Sequence, residues 1–422
     1  MKNKNAFTLV ELLAVIVILA IILVIAVPKI TDTIKNSKIA SFESSAKTIA
    51  AQAEKKKMEN EILENQNPLS CGDVVKINDT DYDSCNIYFD GNTAKVSLIG
   101  KGKFEGLQII NGTKESAKTL DYNLPEYGIG TDFIKNIYED EKLRDLMGLE
   151  KDTTSDENIR YVGVEPYNYV KLNDELWRIV GVFGNNIKLV RDEILTTYSF
   201  DNKTTAQGVE GNYGTNDWAK SYLREFLNDY YCDNKTITCR STINGDVANN
   251  AIITCPDVNK INSTSKNMIE QVTWNLGGTT WKTTTPPFAT YSTKELYTME
   301  RATSATTSRD YIGLIYPSDY GYASTDASCR QNLRAGITYI NSTWGGTPAC
   351  KNNNWLYKGV GYRTISPYST DPGHVYYITG DGDLLSGRSL YPTNIRPSLY
   401  LKTNVKIVNG LGTSDNPFIL GL

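Results

Sequence analysis

Residues 7–27, FTLVELLAVIVILAIILVIAV, form an apolar run broken by a single acid, Glu11. As a helix this run is about 31 Å long, enough to cross the hydrocarbon core of a bilayer. A carboxylate inside such a span costs roughly 2.5–3.5 kcal/mol even on lenient insertion scales, so Glu11 calls for a counter-ion. Only Met-Lys-Asn-Lys-Asn-Ala precedes the run. Cleavage after Ala6 would supply the missing charge: a new α-amine on Phe7, one helical turn from Glu11.

This arrangement resembles the start of a type IV prepilin or pseudopilin. Lys2 and Lys4 match the short basic leader, and Ala6 stands where the family usually has Gly before the cut. Phe7 stands in the place of the first mature residue, which the family methylates. Glu11 matches the family's acid inside the span, and Pro28 the proline that ends the first stretch of the pilin helix. The resemblance implies cleavage after Ala6 and N-methylation of Phe7. It also implies partnership with other pilin subunits through the N-terminal helix, and with a prepilin peptidase/methylase at the inner or cytoplasmic membrane. Glu11 would neutralise the Phe7 amine of a neighbouring subunit, setting axial register, or that of its own chain.

Two plainer readings compete. A secretory signal has a shorter apolar core followed by a small-residue cleavage site, and Val24-Ile25-Ala26 imitates one. A simple signal anchor would explain the span but not Glu11. Lys29, Lys35, Lys38 and Lys47 follow the span and outnumber Lys2 and Lys4 before it, which the positive-inside rule reads as tail-inside. Long following domains cross largely regardless of that bias. The C-terminal bulk is therefore expected outside the cytoplasm, as a single-pass membrane protein and then at the cell surface or in a filament.

The 422 residues suffice for two or three domains. A net charge of −4 gives no bulk attraction to nucleic acid. With 27 Tyr against 10 Phe, the chain reads as carrying an exposed β-rich surface able to meet a glycan or protein ligand, although codon bias gives the same composition. Seven Cys and one His make structural zinc a poor fit. In an exported chain the cysteines read as loop-closing disulfides. Neighbours in sequence pair Cys71 with Cys85, Cys232 with Cys239 and Cys329 with Cys350, leaving Cys255, which could replace any of the six.

The expected fold class is α+β. Residues 1–6 are the leader. Residues 7–118 are a long pilin-like helix and a small antiparallel β-meander. After Pro28 the helical pattern runs through Ile30, Ile34, Ser41, Ala46, Ile49, Ala50 and Ala53 to a stop at Asn65-Gln66-Asn67-Pro68. Short strands are expected at 74–77, 86–89, 94–99 and 107–110. Residues 119–158 read as a connector with one helix over 132–149 and a flexible polar stretch at 151–158. Residues 159–422 begin with strands at 169–172, 176–183 and 187–190, the last two joined by a Gly184-Asn185-Asn186 turn. An amphipathic helix is expected over 216–231, capped by Asn216 or Asp217.

The strings NDWAKSYLREFLNDYY (216–231), RDYIGLIYPSDYGYA (309–323) and NIRPSLYLKTNVKIVNGLGTSDNPFIL (394–420) together resemble a bacterial surface module. That module is related to the C-type-lectin-like fold of formylglycine-generating enzymes. The resemblance implies a mixed α+β domain with long structured loops and does not imply catalysis.

Candidate chemistry outside the N-terminus is sparse. Asp79, Asp81, Asp83 and Asp90 are spaced like part of a calcium loop, but Ser84 replaces the required Gly and no terminal Glu follows. Asp381-Gly382-Asp383 reads first as a hairpin turn. His374 has no nucleophile elbow beside it. Cys329 and Cys350 could stand in for the cysteine pair of formylglycine-generating enzymes, although a structural disulfide is the simpler reading. No catalytic residue, metal or cofactor is assigned. The expectation is a minor pilin or pseudopilin with a large extracellular domain for adhesion. The alternatives are a pseudopilin of a type II secretion or DNA-uptake system, and a cell-surface enzyme on a pilin stem.

Overall fold

The computed structural model describes residues 9–62, 69–75, 80–90, 92–120, 124–203, 214–240, 243–244, 247–248, 251–278, 291–331, 333, 335–336, 348–414 and 416–422. It divides into two units, Met1–Asn123 and Leu124–Leu422.

The first unit is built on helix α1 (Leu9–Ile62), whose side chains are described from residue 29 onward. Among the residues whose side chains are described, from 29 onward, no helix is long and apolar enough to cross a membrane. Its working face is Phe42, Ala46, Ile49, Ala50 and Ala53, all buried. The three- and four-residue steps between them line one side of a helix, and the alanines let a sheet approach closely. That sheet is the antiparallel meander β1 (Tyr82–Asp90), β2 (Thr93–Gly100), β3 (Gln108–Gly112) and β4 (Thr119–Leu120). Ala94, Val96, Leu98, Phe104 and Ile109 complete the core.

Ile30 and Ile34, within the expected helical stretch, are exposed because the sheet covers only the later half of the helix. One local expectation is corrected. The segment around Val74 is a short helix, α2 (Cys71–Val74), not a strand, with Ser70 and Asp73 forming its capping box. Cys71 is bonded to Cys85 on β1.

The second unit begins earlier than expected. Residues 124–158 are not a connector: β5 (Gly128–Ile129) pairs with the strand Lys406–Asn409. Helix α3 (Gly130–Glu139) buries Phe133, Ile134 and Ile137. Asp140 caps helix α4 (Glu141–Met147), and Gly148 ends it at φ +71°. Strand β6 (Leu149–Lys151) pairs with β7 (Ile159–Tyr161). The polar loop between them is held by Asp152, whose carboxylate accepts from Thr154 and Asn158.

The central sheet runs Ile269–Glu270, Pro397–Leu401, β10 (Asn186–Arg191), β9 (Glu175–Phe183), β8 (Tyr169–Leu172), Phe418–Gly421, Lys406–Asn409, β5, with β7 also pairing on β9. The β9–β10 turn uses Gly184 at φ +59°, which suits glycine. A second sheet joins Thr196–Tyr198, Thr393–Ile395, Tyr362–Pro367, His374–Ile378 and Leu384–Arg388 in that order, with Ala335–Gly336 at its far edge. Between the sheets' elements lies a core rich in aromatics, including Tyr320, Trp355, Tyr362, Tyr368 and Tyr376. Tyr161, Tyr198, Tyr231 and Tyr316 are also fully buried. Much of the tyrosine read as surface is core.

The expected helix over 216–231 is three short pieces. Asp217 caps a 3-10 turn (Trp218–Lys220), Ser221 caps an α turn (Tyr222–Glu225), and a π-helical segment (Phe226–Cys232) follows. Ser221 interrupts the run because its hydroxyl accepts from the Arg224 N–H while its own backbone is extended.

Candidate functional site

The processing residues Ala6 and Phe7 lie outside the described residues. Glu11 and Pro28 fall within α1, on the stretch whose side chains are not described. Downstream, the helix meets its head through two carboxylates three turns apart. Glu43 Oε1 accepts from the Thr119 N–H at 2.9 Å and its hydroxyl at 3.1 Å. Glu54 accepts from the Ala94 N–H at 3.2 Å and pairs with Lys114 at 2.7 Å. The Lys114 contact outweighs burial and lowers the Glu54 pKa. Nothing in the local sequence pattern distinguishes these two acids from the solvated ones beside them.

The cysteine map differs from the expected one at one pair. Cys239 joins Cys255, and Cys232 is a free, buried thiol on the π-helical segment. The fold brings Cys239 and Cys255 to a Cα separation of 5.1 Å, within disulfide range, and leaves Cys232 buried without a partner thiol. Burial first, then nearby Asp233, pushes the Cys232 thiol up to about 12. Cys329 is bonded to Cys350.

The densest chemistry is a buried charge cluster that the sequence reading missed. Arg160 on β7 donates to Asp152 at 2.7 Å and to Asp319 Oδ1 at 2.9 Å. Lys188 on β10 contacts Asp319 Oδ2 at 2.5 Å. Asp319 sits in the helix Pro317–Tyr322 and also accepts from the Tyr316 N–H. Side-chain exposure is 2% or less for all four. Aromatic rings wall the cluster: Lys188 Nζ lies 4.4 Å from the Tyr316 ring centroid and 5.4 Å from that of Trp274. The Arg160 guanidinium lies 4.6 Å from the rings of both Phe183 and Tyr322.

Burial lowers the Lys188 pKa to about 8 despite Asp319. Burial would raise Asp319, but Lys188 and Arg160 hold it at about 2. Glu300, hydrogen-bonded to the Ser318 N–H and hydroxyl, is pushed by burial up to about 7, against the pull of Arg301 at 3.1 Å.

The other candidates resolve into structure. Asp81 pairs with Lys103 at 2.7 Å, and Asp83 lies in strand β1 rather than in a loop. Asp79 lies outside the described residues. Gly382, at φ +93°, turns the hairpin between His374–Ile378 and Leu384–Arg388. No group of three or more metal-ligating side chains occurs among the described residues. His374 opens a strand rather than lying in a loop, and its Nδ1 is 2.8 Å from Asp371 Oδ2. The Asn216 side chain, expected as a helix cap, instead binds the carbonyls of Tyr368, Asp371 and His374.

Residues 1–27 match the family model described as the prokaryotic N-terminal methylation motif. No curated protein and no solved structure matches the chain. The chain therefore has a type IV pilin-like N-terminus, which implies processing by a prepilin peptidase and contact with other pilin subunits.

Proposed function

We propose that this chain is a minor pilin or pseudopilin of a type IV pilus-like filament, cut after Ala6, N-methylated on Phe7, and carrying its second unit outside the cytoplasm for adhesion or surface contact. The observation that carries the reading is the methylation motif at residues 1–27 on a helix that runs to Ile62 and buries its later face under a four-stranded meander. A second unit of some 300 residues is hard to repeat at every position of a thin filament. A rare or terminal position accommodates it.

Adhesion rests on the size and composition of that unit and on its resemblance to C-type-lectin-like surface modules. The bonding of Cys329 to Cys350 fits the reading of that pair as a structural staple. The experiment is a shear test: surface filaments are stripped from cells with and without their prepilin peptidase, and the chain is traced by immunoblot. Recovery in the sheared fraction only when the peptidase is present supports the proposal. Recovery independent of the peptidase overturns it. The same preparation, applied to a glycan array or to host cells, tests adhesion separately.

A further inference from the structure

Lys188 and Asp319 occupy a setting in which an ion pair is a costly way to use two side chains. Both are at 0% exposure, and Phe183, Trp274, Tyr316 and Tyr400 surround the ammonium. Taking two charges out of water is expensive, and their mutual attraction offsets this only where geometry and further hydrogen bonds are good. The amine nitrogen is already held 2.5 Å from a carboxyl oxygen. Such fixed proximity replaces a bimolecular encounter by an effectively unimolecular one. We infer that Lys188 and Asp319 are joined after folding by an intramolecular amide between Nζ and Cγ.

The step balances without any co-reactant. Lys188 first passes one proton to Asp319 Oδ2, leaving an amine beside a carboxylic acid. The amine lone pair attacks Cγ and forms the N–C bond. Negative charge then develops on Oδ1, which Arg160 Nη1 faces at 2.9 Å. The Cγ–Oδ2 bond breaks, and Oδ2 departs as water with a second proton taken from the attacking nitrogen. Arg160 acts here as a positioning residue for the carboxyl. Because it also favours the ionised carboxylate, the first proton transfer is uphill, and the bond forms after the fold is complete.

Charge bookkeeping within the cluster supports the product. Before the reaction, Arg160 and Lys188 balance Asp152 and Asp319. Afterwards Arg160 and Asp152, 2.7 Å apart, still balance each other. The amide removes two buried charges and strands none. It would tie β10 of the central sheet to the helix Pro317–Tyr322, across 131 residues of chain.

The test is peptide mapping of the full-length protein after reduction and alkylation. An amidated Lys188 resists trypsin, so residues 179–191 remain one peptide, branched onto residues 310–330. The expected mass is the sum of the two peptides less one water. Free peptides 179–188 and 310–330 at unmodified mass overturn the inference, as does Lys188 linked to any other residue. Asp319→Asn should give the same branched product by loss of ammonia, and Asp319→Ala should give only separate peptides. The wild-type map decides the matter even where a variant does not fold.

Discussion

Glu43 Oε1 takes two hydrogen bonds from Thr119, at 2.9 Å from the N–H and 3.1 Å from the hydroxyl. One helix carboxylate thus anchors the last strand of a sheet that arrives 76 residues later. Glu43→Ala should destabilise the first unit by about 2 kcal/mol, since bonds to a charged acceptor are individually worth more than neutral ones. Hydrogen exchange at the Thr119 amide is the local readout. Protection equal to wild type would show that the contact contributes nothing.

The Glu300 carboxyl gives the second unit a pH dependence of definite sign. Its pKa rises from 4.5 to about 7 on folding because it is buried. The folded state therefore holds the proton more tightly, and stability falls as pH rises through that window. The fall amounts to about 3 kcal/mol. Asp319 and Lys188 do not contribute within that window: as free groups they titrate at about 2 and about 8, and joined as an amide they do not titrate at all. Between about pH 5 and about pH 7, the melting temperature of wild type should fall with rising pH relative to that of Glu300→Gln. Equal slopes would contradict the assignment.

Thiol labelling checks the cysteine map. Without reductant, native protein should take up no alkylating agent at Cys232, because the thiol is buried and pushed up to about 12. Unfolded, still unreduced protein should be labelled there and nowhere else. Label at Cys255 would mean that Cys239 is bonded elsewhere.

Much of the fold was readable where one physical rule acts alone. The run 176–190 with Gly184 at its turn gave a hairpin, because apolar residues flank a position that glycine suits. Ala46, Ile49, Ala50 and Ala53 showed the buried helix face through their spacing. The reading failed where tertiary partners decide. Lys188 lies in a strand buried on both faces, so alternation carries no information about it, and Asp319 is brought to it from 131 residues away. The 124–158 stretch looked like a connector because β5 finds its partner strand only near the C-terminus. The Cys232 pairing was misjudged because proximity in sequence says nothing about which way a side chain points. The N-terminal motif was legible because basic residues, an acid and an apolar run fall within one short segment, residues 1–27.

Glu11→Val should leave membrane insertion intact, since it removes an intramembrane charge. Assembly should suffer, because the Phe7 amine loses its partner. Co-purification with the other filament subunits is the measure, and wild-type incorporation of the variant would end the register account.

The most direct measurement is mass spectrometry of the N-terminal peptide from isolated membranes. A mature chain that begins at N-methyl-Phe7 is the predicted result. A chain that retains Met1–Ala6 in cells able to process such precursors, or one that begins near Val27, would contradict it.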